Sequence, residues 1–138
     1  MIEIRIDYTG ELHCDALHEP SGTVLSTDAP VDNHGRGETF SSTDLVATAL
    51  GTCMATVMGI AAQRKNLSLQ GMRLAVRKYM ASDQPRRIER LDVEIFMPLP
   101  EDHIERKLLQ STVLGCPVQH SIHPDIEVVI NWHWAAEE

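Results

Sequence analysis

The chain has little positive charge and few cysteines, and each scarcity excludes a class of protein. It carries 12 basic residues against 20 acidic ones, a formal net charge of −8. Nucleic acids and anionic membranes bind cationic surfaces, so we expect neither as a main partner. Three cysteines are too few and odd in number for a disulfide scaffold, which favours a reduced, cytoplasmic setting. The opening MIEIRID is charged at positions 3, 5 and 7 and lacks the apolar core of a signal peptide.

Familiar catalytic motifs are missing as well. The sequence contains no GxSxG elbow, no P-loop, no GxGxxG after a predicted strand and no HExxH pair. The triplet Gly35-Arg36-Gly37 is too short to cradle a phosphate. Any chemistry must therefore come from other side chains, and the cysteines and histidines are the first candidates.

One uncharged segment, residues 45–62, is at the lower limit of length for a membrane span. It contains three threonines and two glycines and has few bulky apolar side chains, so we interpret it as a buried helix of a protein without a membrane segment. A helix that is apolar on all sides must be covered all round. A chain of this length can hardly do that alone, which indicates a homodimer.

The first third of the chain predicts three strands and a long loop. Apolar and charged residues alternate over residues 2–8, which is typical of a half-buried strand. Turns at Thr9-Gly10 and Ser21-Gly22 introduce two further strands, and the three form a meander. Residues 28–41 contain Pro, Asn and two Gly and are predicted to be loop. Long structured loops in small domains are often functional.

A helix and a second group of strands follow. Ser41 or Ser42 caps a helix that ends near Lys65. A hairpin with one solvated face turns at residues 82–85 and ends at Pro98 and Pro100. A helix opening at residues 101–102, a short helical turn beginning at Cys116-Pro117 and a strand over 126–134 complete the order βββ-α-ββ-α(α)-β. This order predicts a single α+β domain over residues 1–138, with an antiparallel or mixed sheet packed on helices.

Cys53 has an inert and a reactive interpretation. It lies in the middle of the apolar helix, where a buried cysteine is usually plain core. To become a thiolate it needs a nearby cation. Arg36 and Arg64 are the closest candidates in sequence, and Arg36 lies in the loop just before the helix.

Cys116 has better local electrostatics, and Cys14 has worse. Cys116 directly precedes Pro117, a favoured first helical residue, so its sulfur is either at a helix N-terminus that stabilises a thiolate or simply a small capping residue. Cys14 alternates with Leu12 and Ala16 on a predicted strand, and we interpret it as a core residue.

Seven histidines raise the question of a metal site. His120 and His123 follow Cys116 at a spacing that could place three ligands on one side of a short helix. Zinc sites usually show tighter, paired spacing, so metal binding is the weaker interpretation. His34 lies in the long loop, where it either lines a site or is solvated. The remaining histidines are predicted to be surface residues: His13, His18, His103 and His133.

Two segments of the chain resemble motifs of a single family. They are SSTDLVATALGTCMATVMGIAAQRKNL, residues 41–67, and VLGCPVQHSI, residues 113–122. The first is similar to the helix that carries the peroxidatic cysteine in the OsmC/Ohr proteins of osmotic induction and organic hydroperoxide resistance, and the second resembles that family's second-cysteine motif. The separation of the two cysteines and the order of elements also match, so the resemblance covers nearly the whole chain.

The resemblance implies a fold, a partner and a reaction. The family forms intertwined homodimers in which sheets wrap around two central helices. By this resemblance, Cys53 attacks an organic hydroperoxide and becomes a sulfenic acid, and Cys116 resolves it as a disulfide. A dithiol reductant of the lipoyl type restores both thiols. No metal or organic cofactor is required.

The start of the helix departs from the family's peroxidases. There the sequence usually reads Asn-Pro-Glu-Glu or Asn-Pro-Glu-Gln, and the first Glu helps orient the arginine that activates the thiolate. Here Thr43 occupies that position, Asp44 follows it, and Glu38 in the loop is a further candidate substitute. Arg36 lies in roughly the loop that carries the arginine. The chain thus resembles an OsmC-like branch outside the two well-defined peroxidase branches.

Two hypotheses follow from this departure. In the first, the chain is a peroxidase of the OsmC type whose catalytic residues are Cys53, Cys116 and Arg36, with a turnover reduced by the missing Glu. In the second, it is a non-catalytic protein of the same fold that binds a small apolar ligand or senses oxidants.

Overall fold

The structure, a computed structural model, describes residues 1–136. Contacts within the chain divide it into two compact units, Met1–Val46 and Ala47–Glu138. The boundary between the units falls inside the long central helix. The single domain expected over residues 1–138 stays a prediction.

The first unit contains the predicted three-stranded meander. Strands β1 (Ile4–Gly10), β2 (His13–His18) and β3 (Thr23–Asp28) pair antiparallel in the order β1-β2-β3. The expected half-burial of β1 is wrong, because the apolar side chains Ile4, Ile6 and Tyr8 are exposed. Alternation gives a strand an apolar face, but burial needs a covering surface, and residues 1–136 provide none for these three side chains.

The loop after β3 is organised by its own backbone. It contains a 3₁₀ turn at Val31–Asn33, and the amide of Gly35 donates to the carbonyl of Pro30 over 2.9 Å. A Cβ atom at position 35 would lie 1.7 Å from the carbonyl oxygen of Ala29, so only glycine fits there. The loop is therefore a defined structure, as its length and composition predicted.

Helix α1 (Ser42–Arg64) begins with a reciprocal cap. The Asp44 amide donates to Ser41 Oγ over 3.1 Å, and the Ser41 amide donates to Asp44 Oδ2 over 2.9 Å. The cap was predicted at Ser41 or Ser42, and the structure places it at Ser41. Asn66, at φ 53°, lies just after the helix and takes a left-handed conformation that helices use to end.

Helix α1 is long and apolar enough to cross a membrane by length and composition, and it is the core helix of this chain. Its fully buried side chains, Leu50, Met54 and Met58, lie on one face. About a third of its most apolar window is buried within the chain, and Ile60 remains 46% exposed. The single chain covers one face of the helix and not all of it.

The second unit holds a mixed sheet. Strands β4 (Arg73–Met80), β5 (Ile88–Pro100) and β6 (Glu127–Ala135) lie in the order β4-β5-β6. The β4–β5 pair is antiparallel and the β5–β6 pair is parallel. The side chains of Leu91, Val93 and Ile95 are completely buried, as their alternation predicted. A Cβ atom on Gly51 of α1 would lie 2.8 Å from Val76 of β4, which shows how closely helix and sheet approach there.

Strand β5 ends at Pro100, as expected, but Pro98 does not stop it. The strand continues to Pro100, but its pairing with β4 stops at Phe96 and its register with β6 shifts between Phe96 and Pro100. Proline is tolerated at such positions because little ladder hydrogen bonding is lost.

The last helix is shorter than predicted. Residues 101–105 form turns, helix α2 covers Arg106–Thr112, and a 3₁₀ turn follows at Val113–Gly115. After Cys116 the chain makes the expected helical turn, in which the His120 amide donates to the Cys116 carbonyl over 3.3 Å. The predicted α+β order of elements is confirmed.

Candidate thiol site

Two cysteines from different elements meet in the second unit. Cys53, in the middle of α1, is half-buried, and Cys116, after the 3₁₀ turn, is completely buried. Both are free thiols, and their side chains share a hydrogen bond. The structure therefore brings together the pair that the sequence motifs singled out.

The environment of Cys116 opposes its ionisation. Burial raises the pKa of this thiol, and the hydrogen bond with Cys53 raises it further. The backbone amides of Gln119 and Val118 point at the sulfur and lower the pKa, as a helix N-terminus would, but they do not outweigh burial. Of the two interpretations of Cys116, the raised pKa opposes a thiolate in the resting protein and favours the small capping residue. The two amides do provide a preformed place for negative charge on the sulfur once it develops.

An apolar groove of about 370 Å³ lies along the second half of α1. Its lining includes Val57, one helical turn after Cys53, and Gly115, which directly precedes Cys116, so the groove approaches the pair although neither cysteine lines it. Its lining is mostly apolar or small, with two cations, Arg64 and Lys65, from the end of α1: Val57, Ile60, Ala61, Arg64, Lys65, Leu108, Thr112 and Gly115. The groove suits an uncharged or amphipathic molecule.

Arg36 has its described contacts in the first unit. Its guanidinium donates to the carboxylate of Glu11, in the turn between β1 and β2. Its side chain is 58% exposed. Arg64, the other candidate cation, lies in the same unit as Cys53 and lines the groove. A role for Arg36 at the thiol stays a prediction.

The three candidate substitutes for the missing glutamate take part in local structure. The carboxylate of Asp44 caps α1, and the hydroxyl of Thr43 lies 3.2 Å from that of Ser41. Glu38 contributes its backbone amide, which donates to Asp28 Oδ2 over 3.0 Å. Asp44 is thus engaged at the helix start, whereas no described contact assigns a task to the Glu38 side chain.

A buried carboxylate that the sequence analysis missed lies at the end of β3. Asp28 is 6% exposed, and its Oδ1 lies 2.5 Å from Nδ1 of His13 on the neighbouring strand. The prediction of His13 as a surface residue is wrong, because it is half-buried and lies between two carboxylates, with Asp15 at 3.3 Å from Nε2. The β2–β3 register pairs His13 directly with Asp28, so the register was the signal that would have revealed the pair.

The other histidines and Cys14 differ in burial. His133 remains exposed but is bound to Glu94 over 2.5 Å and stacks on Phe96. His18 and His34 are exposed, whereas His103, predicted to be a surface residue, is half-buried, and its described hydrogen bond is with the Glu105 amide and not with the thiol pair. Cys14 is half-buried and not the core residue that was expected. Within residues 1–136, no three His, Cys, Asp or Glu side chains are close enough together to hold a metal ion, so a site at Cys116, His120 and His123 is not supported.

An α+β fold with two free thiols in contact, one on the central helix and one on a Cys-Pro turn, defines a class of two-cysteine proteins. The family model for OsmC-like proteins matches residues 35–131, and the chain belongs to this family. The resemblance drawn from the sequence is therefore confirmed, together with its fold.

Known structures agree with this assignment. A protein from Psychrobacter arcticus 273-4, provisionally assigned to the osmotic stress and detoxification response, is 41% identical, with a TM-score of 0.90 and 96% of each chain covered. An organic hydroperoxide resistance protein OsmC from Legionella pneumophila shares the fold at 14% identity, with a TM-score of 0.73 and 96% of each chain covered. An OsmC-like protein of unknown function from Vibrio cholerae does so at 8% identity, with a TM-score of 0.77 and 96% and 98% covered. No curated protein matches the chain.

Proposed function

We propose that the chain is a cysteine-dependent peroxidase that reduces organic hydroperoxides through Cys53 and Cys116. The contact between the two thiols, which come from separate elements, carries this proposal. Cys53 is half-buried, and the apolar groove that starts one helical turn after it is the proposed approach for a small organic hydroperoxide, whereas Cys116 is completely buried. We therefore assign the peroxidatic role to Cys53 and the resolving role to Cys116.

The proposed cycle has three steps. The Cys53 thiolate attacks the distal oxygen of the hydroperoxide, the O–O bond breaks, and the alcohol leaves after taking up a proton. The Cys116 sulfur then attacks the Cys53 sulfenic acid, a disulfide forms and water leaves. A dithiol reductant of the lipoyl type exchanges with that disulfide, is itself oxidised to a disulfide, and restores both thiols.

Arg36 is the proposed activating cation. The resemblance of its loop to the family's arginine loop supports this role, and a nearby cation is the usual cause of a reactive thiolate. Thr43, where the peroxidases have a glutamate, offers no carboxylate to orient a guanidinium. Glu11 supplies one to Arg36 instead, from the β1–β2 turn.

We also propose that the protein works as a homodimer. The apolar face of β1 is exposed in the single chain, as is Ile60 on α1. Apolar surfaces of this kind mark interaction sites in soluble proteins. A second copy of the chain is the proposed cover.

A thiol titration tests the cycle. One equivalent of an organic hydroperoxide such as cumene hydroperoxide is expected to remove two free thiols per chain from the reduced wild type. Cys53→Ser is expected to lose turnover with a lipoyl reductant, and Cys116→Ser is expected to stop at a sulfenic acid that dimedone traps. Cys14→Ser is the matched control and should behave like the wild type. Unchanged thiol counts after peroxide would contradict the proposal.

The alternative function, a non-catalytic binder or oxidant sensor, also has an observation in its favour. The helix start is occupied by the cap of Ser41 and Asp44, and the groove near the thiols is mostly apolar. A sensor would consume one equivalent of peroxide and then stop, even with excess dihydrolipoyl reductant. Repeated turnover under the same conditions excludes this alternative.

A further inference from the structure

Asp28 is the most buried carboxylate described in the first unit, and its bonds explain how it stays charged there. It accepts hydrogen bonds from His13 on β2 at one oxygen and from the backbone amide of Glu38 at the other. A buried charge is tolerated only when it is paired and hydrogen-bonded. Asp28 therefore joins β2 and β3 to the loop that follows them.

This loop carries Arg36, and backbone hydrogen bonds hold its two ends near the end of β3. The Asp28 amide donates to the Phe40 carbonyl over 3.0 Å, and the Ala29 amide donates to the Leu12 carbonyl over 3.0 Å. Arg36 precedes Glu38 by two residues, so the bond from the Glu38 amide to Asp28 fixes the backbone beside the guanidinium. The ion pair of Arg36 with Glu11 fixes the other end of that side chain.

We propose that Asp28, kept charged by His13, is a positioning residue for Arg36. This proposal rests on the proposed role of Arg36 in activating Cys53. When Asp28 or His13 loses its charge, the charge-assisted bonds weaken, the Arg36 loop loosens, and the guanidinium spends less time in its working position.

The order of the Arg36 loop is expected to depend on pH, because both His13 and Asp28 titrate. The hydrogen bond with Asp28 raises the pKa of His13, and the charges of Asp28 and Asp15 raise it further, against an opposing effect of burial. The hydrogen bond from His13 lowers the pKa of Asp28, helped by the Glu38 amide and by the charges of His13 and Arg36, again against burial.

The directions of the His13 and Asp28 pKa shifts set the limits of the pH range in which the loop is ordered. The contribution of protonated His13 is complete below its unfolded pKa and is lost as the pH rises through its raised pKa. The contribution of ionised Asp28 is present above its unfolded pKa and is lost as the pH falls through its lowered pKa. The loop is therefore most ordered between these limits.

Hydrogen exchange of the loop amides tests the positioning directly. In Asp28→Asn, the amides of Gly37 and Glu38 are expected to exchange about tenfold faster than in the wild type, since a charge-assisted bond is lost. His13→Gln should show the same increase below the raised pKa of His13 and converge with the wild type above it. His18→Gln, at the far end of β2, is the control and should change nothing. Exchange at wild-type rates in both Asp28→Asn and His13→Gln overturns the proposal.

The rate of Cys53 oxidation by cumene hydroperoxide links the loop to chemistry. Asp28→Asn and Arg36→Ala are each expected to slow this oxidation, and the double variant should be no slower than Arg36→Ala alone. An unchanged rate in Arg36→Ala would refute the activating role of Arg36, whatever the loop amides show. If Arg36→Ala slows Cys53 oxidation but Asp28→Asn does not, although its loop amides exchange faster, only the positioning role of Asp28 is refuted. His13→Gln covers the case in which Asp28→Asn does not fold.

Discussion

The two three-stranded sheets follow the same alternating pattern but differ in what covers them. In the second sheet, the inward side chains of β5 are buried, with Val93 at 0% exposure. In the first sheet, the corresponding positions of β1 are open, with Ile6 at 65% exposure. Period-two alternation therefore specifies a face and not its burial. The cover must come from elsewhere, and for the first sheet we propose a second chain.

The outward faces differ too. The outward face of the second sheet carries a hydrogen-bonded polar network, in which Glu94 accepts hydrogen bonds from Arg77, Asn131 and His133. Arg73 also lies over the Phe96 ring, 5.1 Å from its centre. The charged side chains of this face are paired, and the carboxylates of Asp92 and Glu94 are largely shielded from solvent. The first sheet instead has exposed Ile6 and Leu25 on one face, in register on either side of the half-buried Ala16.

The largest expected effect is on dimerisation, which we propose covers the first sheet. We expect the wild type to sediment as a dimer and Ile6→Glu as a monomer, because burying a carboxylate without a partner costs about 3 kcal/mol or more, over a hundredfold in affinity. Analytical ultracentrifugation measures both. Arg5→Gln, on the opposite face of the same strand, should remain a dimer. A monomeric wild type would show that the first sheet is open in solution.

Truncating one valine in each sheet compares how much each contributes to the free energy of unfolding. Val93→Ala on β5 is expected to lower the free energy of unfolding by about 2 kcal/mol, from lost burial and a residual cavity. Val24→Ala on β3, at 59% exposure and on the face opposite Ile6, is expected to change it by less than about 0.5 kcal/mol. Urea unfolding at fixed protein concentration measures both. Equal losses would mean that both faces of the first sheet are covered.

The smallest expected effect concerns the polar face of the second sheet. The hydrogen bond from His133, with those from Asn131 and Arg77, lowers the pKa of Glu94 against the effect of burial. Its contribution to stability is present above the ordinary value of 4.5 and is lost as the pH falls through the lowered pKa. As the pH is lowered from 7 into the acid range, the melting temperature of Glu94→Gln should therefore fall less steeply than that of the wild type. Glu3→Gln, in an exposed pair on the first sheet, should follow the wild type.

The sequence predicted what depends on near neighbours. The cap of Ser41 and Asp44 spans three positions and is visible as a motif, and so are the alternation of β5 and the Cys-Pro turn. The meeting of Cys53 and Cys116 was available only through resemblance, because no local rule relates a helix to a distant turn.

What escaped prediction depends on distant partners. His13 and Asp28 become a pair only through the β2–β3 register, and Arg36 finds Glu11 across 25 positions of sequence. The raised pKa of Cys116 required its burial, which no pattern around Pro117 encodes. The passage of β5 through Pro98 required knowing where its ladder bonds stop.

The contact between the two thiols bears on how the protein would survive its own substrate. A sulfenic acid on Cys53 has two fates, closure by Cys116 or attack by a second peroxide molecule that gives an irreversible sulfinic acid. Closure is unimolecular and, with the sulfurs already neighbours, benefits from a high effective concentration. Over-oxidation is bimolecular and grows with peroxide. In a chain that cycles as proposed, the packing of α1 against the Cys-Pro turn therefore sets the peroxide level at which inactivation overtakes turnover.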